Sequence, residues 1–116
     1  PLSRDSRKLE RVLCYLSEIY SDINSIDDIA SHCYINKSYL CRLFKREIGS
    51  TVMKYLSAVR VQQACELLAA TDMSLTEIGM QCGFGSSAYF CCVFKDIMGC
   101  TPSDFRKHQR EIKNNI

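Results

Sequence analysis

The chain has 116 residues, 47% hydrophobic and 24% charged, with two prolines, five glycines and a formal net charge of +2. One compact domain is the default at this length, and the composition excludes a disordered, collagen-like or low-complexity chain. So few turn-formers exclude a sandwich or barrel of many short strands, and a charge of +2 names no partner on its own.

Helical periodicity runs through the chain. Leu9, Val12, Leu13, Leu16, Ile19 and Tyr20 recur at spacings of three and four and predict a first amphipathic helix over about 5–20. Ser25 through Asp28 reads as a capping box, and Ile26, Ile29, Ala30 and Cys33 line one face of the short helix behind it. Asn36 caps the next helix, whose apolar face is Tyr39, Leu40, Leu43, Phe44 and Ile48, and Gly49 ends it. Thr51 caps a long helix to about Ala70, with a stripe of Val52, Tyr55, Leu56, Val59, Ala64, Leu67 and Leu68. Ser74 through Glu77 is a second capping box, opening a helix from Leu75 to about Gln81. Gly83-Phe84-Gly85 then turns, and Ser86 caps a helix ending at Gly99. Thr101-Pro102 starts the last helix, with Pro in the first helical position. No segment alternates with period two for long enough to demand a strand. The expected fold is all-α, about seven helices.

Eight cysteines stand at 14, 33, 41, 65, 82, 91, 92 and 100, with no C-x-x-C and only two histidines, His32 and His108. That spacing fits neither a disulfide scaffold nor a structural zinc site. The thiols read as reduced and cytoplasmic, mostly filling core positions as small hydrophobes. No apolar run approaches the ~18 residues of a membrane-spanning helix. No metal, cofactor or catalytic constellation is expected: no Gly-rich phosphate loop is present, and the histidines lack an aligned nucleophile and acid.

The strongest feature is an internal repeat. Ser25-x-x-Asp28-Ile29-Ala30-x-x-Cys33 matches Ser74-x-x-Glu77-Ile78-Gly79-x-x-Cys82 at an offset of 49. From Tyr39 to Thr51 the match to Tyr89 through Thr101 has an offset of 50, so one extra residue falls in the glycine turn. Each unit is a capped short helix, a turn and a longer helix ending in Gly, which is a helix-turn-helix outline. The organisation reads as a lead-in helix over 1–20, a first helix-turn-helix unit over 21–50, a linker helix over 51–70, and a second unit with a C-terminal helix over 71–113, one domain overall. A linker of about 18 residues is ~27 Å long, so two recognition helices could enter successive major-groove turns ~34 Å apart.

The charge is unevenly placed. Lys37, Arg42, Lys45, Arg46, Lys54 and Arg60 face only Glu47 between positions 37 and 60, whereas 61–94 contains no Lys or Arg. Basic residues gathered on the second helix of a helix-turn-helix are the electrostatic footprint of a phosphate-binding surface. A helical protein-interaction module without DNA binding is the alternative; it explains the repeat but not that placement.

These residues resemble the DNA-binding domain of the AraC/XylS family of bacterial transcription regulators. The resemblance spans about 20–108 and rests on Ser38-Tyr-Leu-Cys-Arg-Leu-Phe-Lys45, Arg60-Val-Gln-Gln-Ala64, Cys82-Gly-Phe84, Tyr89-Phe90, Val93-Phe-Lys95, Gly99 and Thr101-Pro-Ser-x-Phe-Arg106. It implies that the exposed N-terminal part of each second helix reads base edges. In the first unit those positions are Asn36, Lys37, Ser38, Cys41 and Arg42; in the second, Ser86, Ser87, Ala88, Cys91 and Cys92. Arg42 is the leading candidate, because a guanidinium pairs bidentately with guanine O6 and N7. Lys45, Arg46, Arg60 and Lys95 are the candidate phosphate contacts. Many family members carry Gln at the position of Ser87 and Arg at that of Cys92, so the first unit is expected to dominate base readout. Double-stranded operator DNA is the expected partner, with RNA polymerase a further one for an activator. The start without Met suggests a C-terminal piece of a longer regulator that also carries a sensory or dimerisation domain.

Overall fold

The computed structural model describes residues 3–115. Among them are seven α-helices and no strand: α1 (Arg4–Ile19), α2 (Ile26–His32), α3 (Lys37–Glu47), α4 (Val52–Ala70), α5 (Leu75–Gln81), α6 (Ser87–Met98) and α7 (Pro102–Asn114), with a 3-10 turn at Tyr20–Asp22. Each helix starts where a short polar side chain can take up orphan amides. Ser3, Ser25, Asn36, Thr51, Ser74, Ser86 and Thr101 each accept a hydrogen bond from a backbone N–H two or three residues ahead. A cap of this kind is worth about 1 kcal/mol. The capping box at α2 closes one residue early, since Asp28 Oδ2 accepts from the Asn24 N–H at 3.2 Å.

The chain divides into two compact units, one up to Val59 and one from Arg60, with the boundary inside α4. The first unit has a core of Val12 and Leu16 from α1, Ile29 and Cys33 at α2, Leu40 and Phe44 from α3, and Val52 and Leu56 from α4. In the second, Val61, Ala64 and Leu68 of α4 are buried, as are Ile78, Cys82, Phe84, Phe90 and Phe94. An aromatic series runs Phe84–Phe90–Phe94–Phe105, with ring centroids 5.1 to 5.7 Å apart. Arg106 closes the end of α4: Nε donates to the Leu68 carbonyl at 3.1 Å and Nη2 to the Thr71 carbonyl at 3.2 Å.

The same closure joins the two helices of each helix-turn-helix. After α2, the Tyr34 N–H reaches the Ser31 carbonyl and the Ile35 N–H the Ala30 carbonyl; after α5, the Gly83 N–H reaches Met80 and the Phe84 N–H reaches Gly79. This is the Schellman pattern, which requires a left-handed residue just past the cap. Gly83 supplies it with φ +94, and Tyr34 supplies it with φ +57. The closures superimpose residue for residue through Ile35 and Phe84, so the extra residue of the second unit is Gly85, itself at φ +82.

The cores differ by a compensated exchange. Where the first unit places Ala30 and Leu40, the second places Gly79 and Phe90. A Cβ on Gly79 would lie 3.1 Å from the Phe90 Cβ. Phe90 is fully buried and hemmed by Phe84 and Phe94, so it has nowhere to retreat. The larger ring is admitted by removing a methyl opposite.

Several sequence expectations need correction. Ile19 and Ile48 lie on the exposed side of their helices, because each sits in a terminal turn beyond the packed stripe. Ile23 and Val61 are buried although both stand outside the apolar faces that the periodicity marks. The thiols do not mostly fill the core: Cys33 and Cys82 are buried, Cys65, Cys91 and Cys100 are half-buried, and Cys14, Cys41 and Cys92 are exposed. Cysteine is small and weakly polar enough to stand on a solvated helix face.

Two stability outcomes follow. Tyr34 is 89% exposed, so little packing offsets its left-handed backbone. Tyr34→Gly relieves about 1–2 kcal/mol of strain against about 0.5–1 kcal/mol of added chain entropy. A net gain is expected as a higher urea midpoint, and a lower midpoint contradicts it. Gly79→Ala is expected to cost about 1–2 kcal/mol through overpacking. In a Phe90→Leu background the same change is expected to cost less, and additive effects in the double-mutant cycle contradict the compensation.

Candidate nucleic-acid interface

Successive helical residues are rotated by ~100°, and this decides which side chains of α3 share a face. Leu40, Leu43 and Phe44 point into the core. Opposite them lies a stripe of Ser38, Cys41, Arg42 and Lys45, all exposed. Tyr39 and Arg46, seven apart, form one flank of that stripe, and Lys37 lies on the other.

The cations of this region are not equivalent. Lys37 Nζ lies 3.7 Å from the Asp27 carboxylate. Arg46 pairs twice, through Nε with Glu47 Oε1 at 2.9 Å and through Nη2 with Asp5 Oδ2 at 3.0 Å. Arg60, expected as a phosphate contact, is only 9% exposed, and burial pulls its pKa below the ordinary value. Its place in the buried stripe of α4 removes it from the surface set. Arg42, Lys45 and Lys54 remain exposed and make no ion pair among the described residues. The Glu47 carboxylate, a conceivable partner for Arg42, is engaged by Arg46.

Asn36 and Ser86 serve first as caps. Asn36 Oδ1 accepts from the Ser38 and Tyr39 amides, at 2.8 and 3.2 Å, leaving its NH2 group as the outward donor. Ser86 Oγ accepts from the Tyr89 amide at 3.1 Å. On α6 the outward stripe is Ala88, Cys92 and Lys95, which are exposed, with Cys91 half-buried. Ser87 is half-buried on its flank. The equivalent of Arg42 is therefore a thiol, and the equivalent of Arg46 is an acid, Asp96.

Two residues matter here that sequence reasoning missed. Asp5 of α1 accepts a hydrogen bond from the Tyr39 hydroxyl on Oδ1 while pairing with Arg46 through Oδ2. Those hydrogen bonds, from Tyr39 first and Arg46 second, hold its carboxyl below the usual value, and Asp5 in turn raises the Tyr39 phenol. Lys8, one turn further along α1, places Nζ 4.9 Å from the Tyr39 ring centroid. A local signal could not find these contacts, since Asp5 is 34 residues from Tyr39 and 41 from Arg46. Tyr89 is the second: unlike its counterpart Tyr39 it is 53% exposed, beside the rim of Phe84.

No group of three or more His, Cys, Asp or Glu that could hold a metal occurs among the described residues. No described helix is long and apolar enough to cross a membrane.

Comparison with known proteins identifies the family. Residues 29–108 match the family described as helix-turn-helix domain. The regulatory protein PocR of Salmonella typhimurium is 33% identical over 111 residues, covering 96% of this chain and 36% of that protein. The chain thus spans about a third of the length of the curated relatives it matches. A Chromobacterium violaceum transcriptional regulator with an AraC-type DNA-binding domain superimposes with TM-score 0.84 at 30% identity, over 90% of this chain and 93% of that one. The DNA-binding domain of AdpA, a global transcriptional factor solved in complex with a target DNA, gives TM-score 0.86 at 26% identity, over 92% of this chain and 96% of that one. With its doubled helix-turn-helix and these matches over more than half its length, the chain belongs to the AraC/XylS family of helix-turn-helix transcription regulators.

Proposed function

We propose that this chain is a sequence-specific double-stranded DNA-binding domain of a bacterial transcription regulator, with α3 and α6 entering major-groove turns of the same operator. The observation that carries the reading is the outward stripe of α3, where Arg42 and Lys45 stand exposed and unpaired among the described residues beside Ser38 and Cys41. The family relationship and the AdpA domain in complex with its target DNA support it.

The roles follow from reach and chemistry. Arg42 reads guanine by a bidentate hydrogen bond, and the Asn36 amide and Ser38 hydroxyl offer shorter-range contacts. Lys37, on the flank, exchanges its surface pair with Asp27 for the duplex at little cost, since exposed pairs are worth only about 0–1 kcal/mol. Lys45 and Lys95, in the last turns of α3 and α6, contact phosphate. The second unit contributes position more than sequence: Ser86, Ser87, Ala88, Cys91 and Cys92 offer small side chains, Ala88 a contact for a thymine methyl, and Lys95 a backbone anchor. The protein acts by binding and not by catalysis, in the cytoplasm. Its longer relatives make a further sensory or dimerising domain part of the proposal, together with contact to RNA polymerase as an activator.

A selection of bound sequences from a random duplex pool, followed by titration at fixed salt, tests this reading. Affinity for any duplex should fall steeply as salt rises. No duplex binding at low salt refutes it and favours a protein-interaction module. Arg42→Ala should cost about 1–3 kcal/mol of discrimination at one base pair, and Cys92→Ala should cost little. Equal losses from the two changes refute the asymmetry. The thiols provide a footprint. Cys14, Cys41 and Cys92 should alkylate readily, whereas buried Cys82, whose pKa burial pushes up to about 11, should not. The selected duplex should slow alkylation of Cys41 and Cys92 and leave Cys14 unchanged. Protection of Cys14 in place of Cys41 puts the interface on the wrong face.

A further inference from the structure

We infer that Asp5 is a positioning residue for the recognition helix: it ties α1 to α3 through Tyr39 and Arg46, and so keeps Arg46 off the DNA backbone. The inference rests on the reading of α3 as the base-reading helix.

Tyr39 and Arg46 are two turns apart on one flank of α3, and one carboxylate of α1 engages both. Oδ1 takes the Tyr39 hydroxyl and Oδ2 takes Arg46 Nη2 at 3.0 Å, so two side chains from α3 converge on one carboxylate of α1. Two directional hydrogen bonds from one flank of α3 to a fixed point on α1 oppose rotation of α3 about its own axis. Buried Val12 and Leu16 of α1 pack in the same core as Leu40 and Phe44 of α3, but apolar contacts tolerate small rotations that directional hydrogen bonds do not. Lys8 above the Tyr39 ring adds a third contact on the same flank. Roll matters because Arg42 stands only about 60° around the helix from Tyr39. A modest rotation therefore moves the base-reading guanidinium out of register.

The second consequence is electrostatic. Arg46 borders the exposed stripe that carries Lys45 and Arg42, where a free guanidinium would meet phosphate regardless of sequence. Asp5 and Glu47 together occupy its Nη2 and Nε donors. Arg46 stays 57% exposed, but two of its donors are engaged by two carboxylates at 2.9 and 3.0 Å, where Lys37 has one partner at 3.7 Å. The second unit has no such cation to restrain, because Asp96 stands at the equivalent position.

The test compares the parent chain with Asp5→Asn on the selected duplex and on an unrelated duplex, across a salt series, after circular dichroism and thermal unfolding establish that both are folded. Asp5→Asn is expected to bind the unrelated duplex about 3–10-fold more tightly and to lose a similar factor in the ratio of selected to unrelated affinity. Its slope of log affinity against log salt on the unrelated duplex should steepen by ~0.9, the value of one added phosphate contact. Asp5→Asn combined with Arg46→Ala should return that slope to the parent value, and Asp5→Glu should restore the ratio. An unchanged slope and ratio in Asp5→Asn overturns the inference, as does a parallel fall on both duplexes. A slope that drops by ~0.9 when Arg46 alone is replaced also overturns it, since Arg46 then contacts phosphate with Asp5 in place. A parent chain that binds neither duplex refutes the DNA reading itself, and is thereby told apart from a failure of this inference.

Discussion

Everything the two units present to a partner depends on the closure between their short and long helices. One backbone N–H, of Ile35 or Phe84, must return to the carbonyl five residues back, and the residue before it must be left-handed. That bond fixes the angle at which α3 leaves α2 and α6 leaves α5. The helix-turn-helix then offers its second helix at a set pitch, with the N-cap of Asn36 or Ser86 marking where exposed positions begin. The first unit meets the constraint with Tyr34, a residue poorly suited to it, and the second with glycine. The geometry is held by the fold around the turn and not by the turn residue's own preference.

The electrostatics of the first unit show why charge counting overstates a binding surface. The basic run from Lys37 to Arg60 contains six cations, yet their environments are distinct. One is buried in the stripe of α4, one is pinned between two carboxylates, and one faces Asp27 across the helix pair. What is left is a small exposed set, Arg42 and Lys45 on one face of α3 and Lys54 at the start of α4. A few well-placed cations favour discrimination over indiscriminate attraction, because phosphate contacts add affinity to every sequence alike.

The fold was legible in the sequence to the extent that its determinants are local. Helix starts follow from Ser, Thr and Asn caps whose hydrogen bonds span two or three residues, and the repeat exposed the helix-turn-helix units without any tertiary knowledge. The exposed stripe of α3 was legible for the same reason, as a consequence of helical period. What depended on distant packing was not. Arg60 reads as one more cation until α4 is seen to bury it. Arg46 reads as an unpaired cation until Asp5, 41 residues away, is seen to pair with it. The thiols divide between core and surface because cysteine is compatible with both, so composition alone cannot sort Cys33 from Cys14.

The exchange of Ala30 and Leu40 for Gly79 and Phe90 has a consequence for how such a duplicated chain can diversify. Each pair spans a short helix and the long helix packed on it, so the two halves of a unit are matched parts. A recombination that joins α2 to α6 would set a methyl against a phenyl ring with no room to yield; one that joins α5 to α3 would leave a void. The short and long helices of a unit are therefore bound to change together, and a single helix cannot be traded between units without its partner.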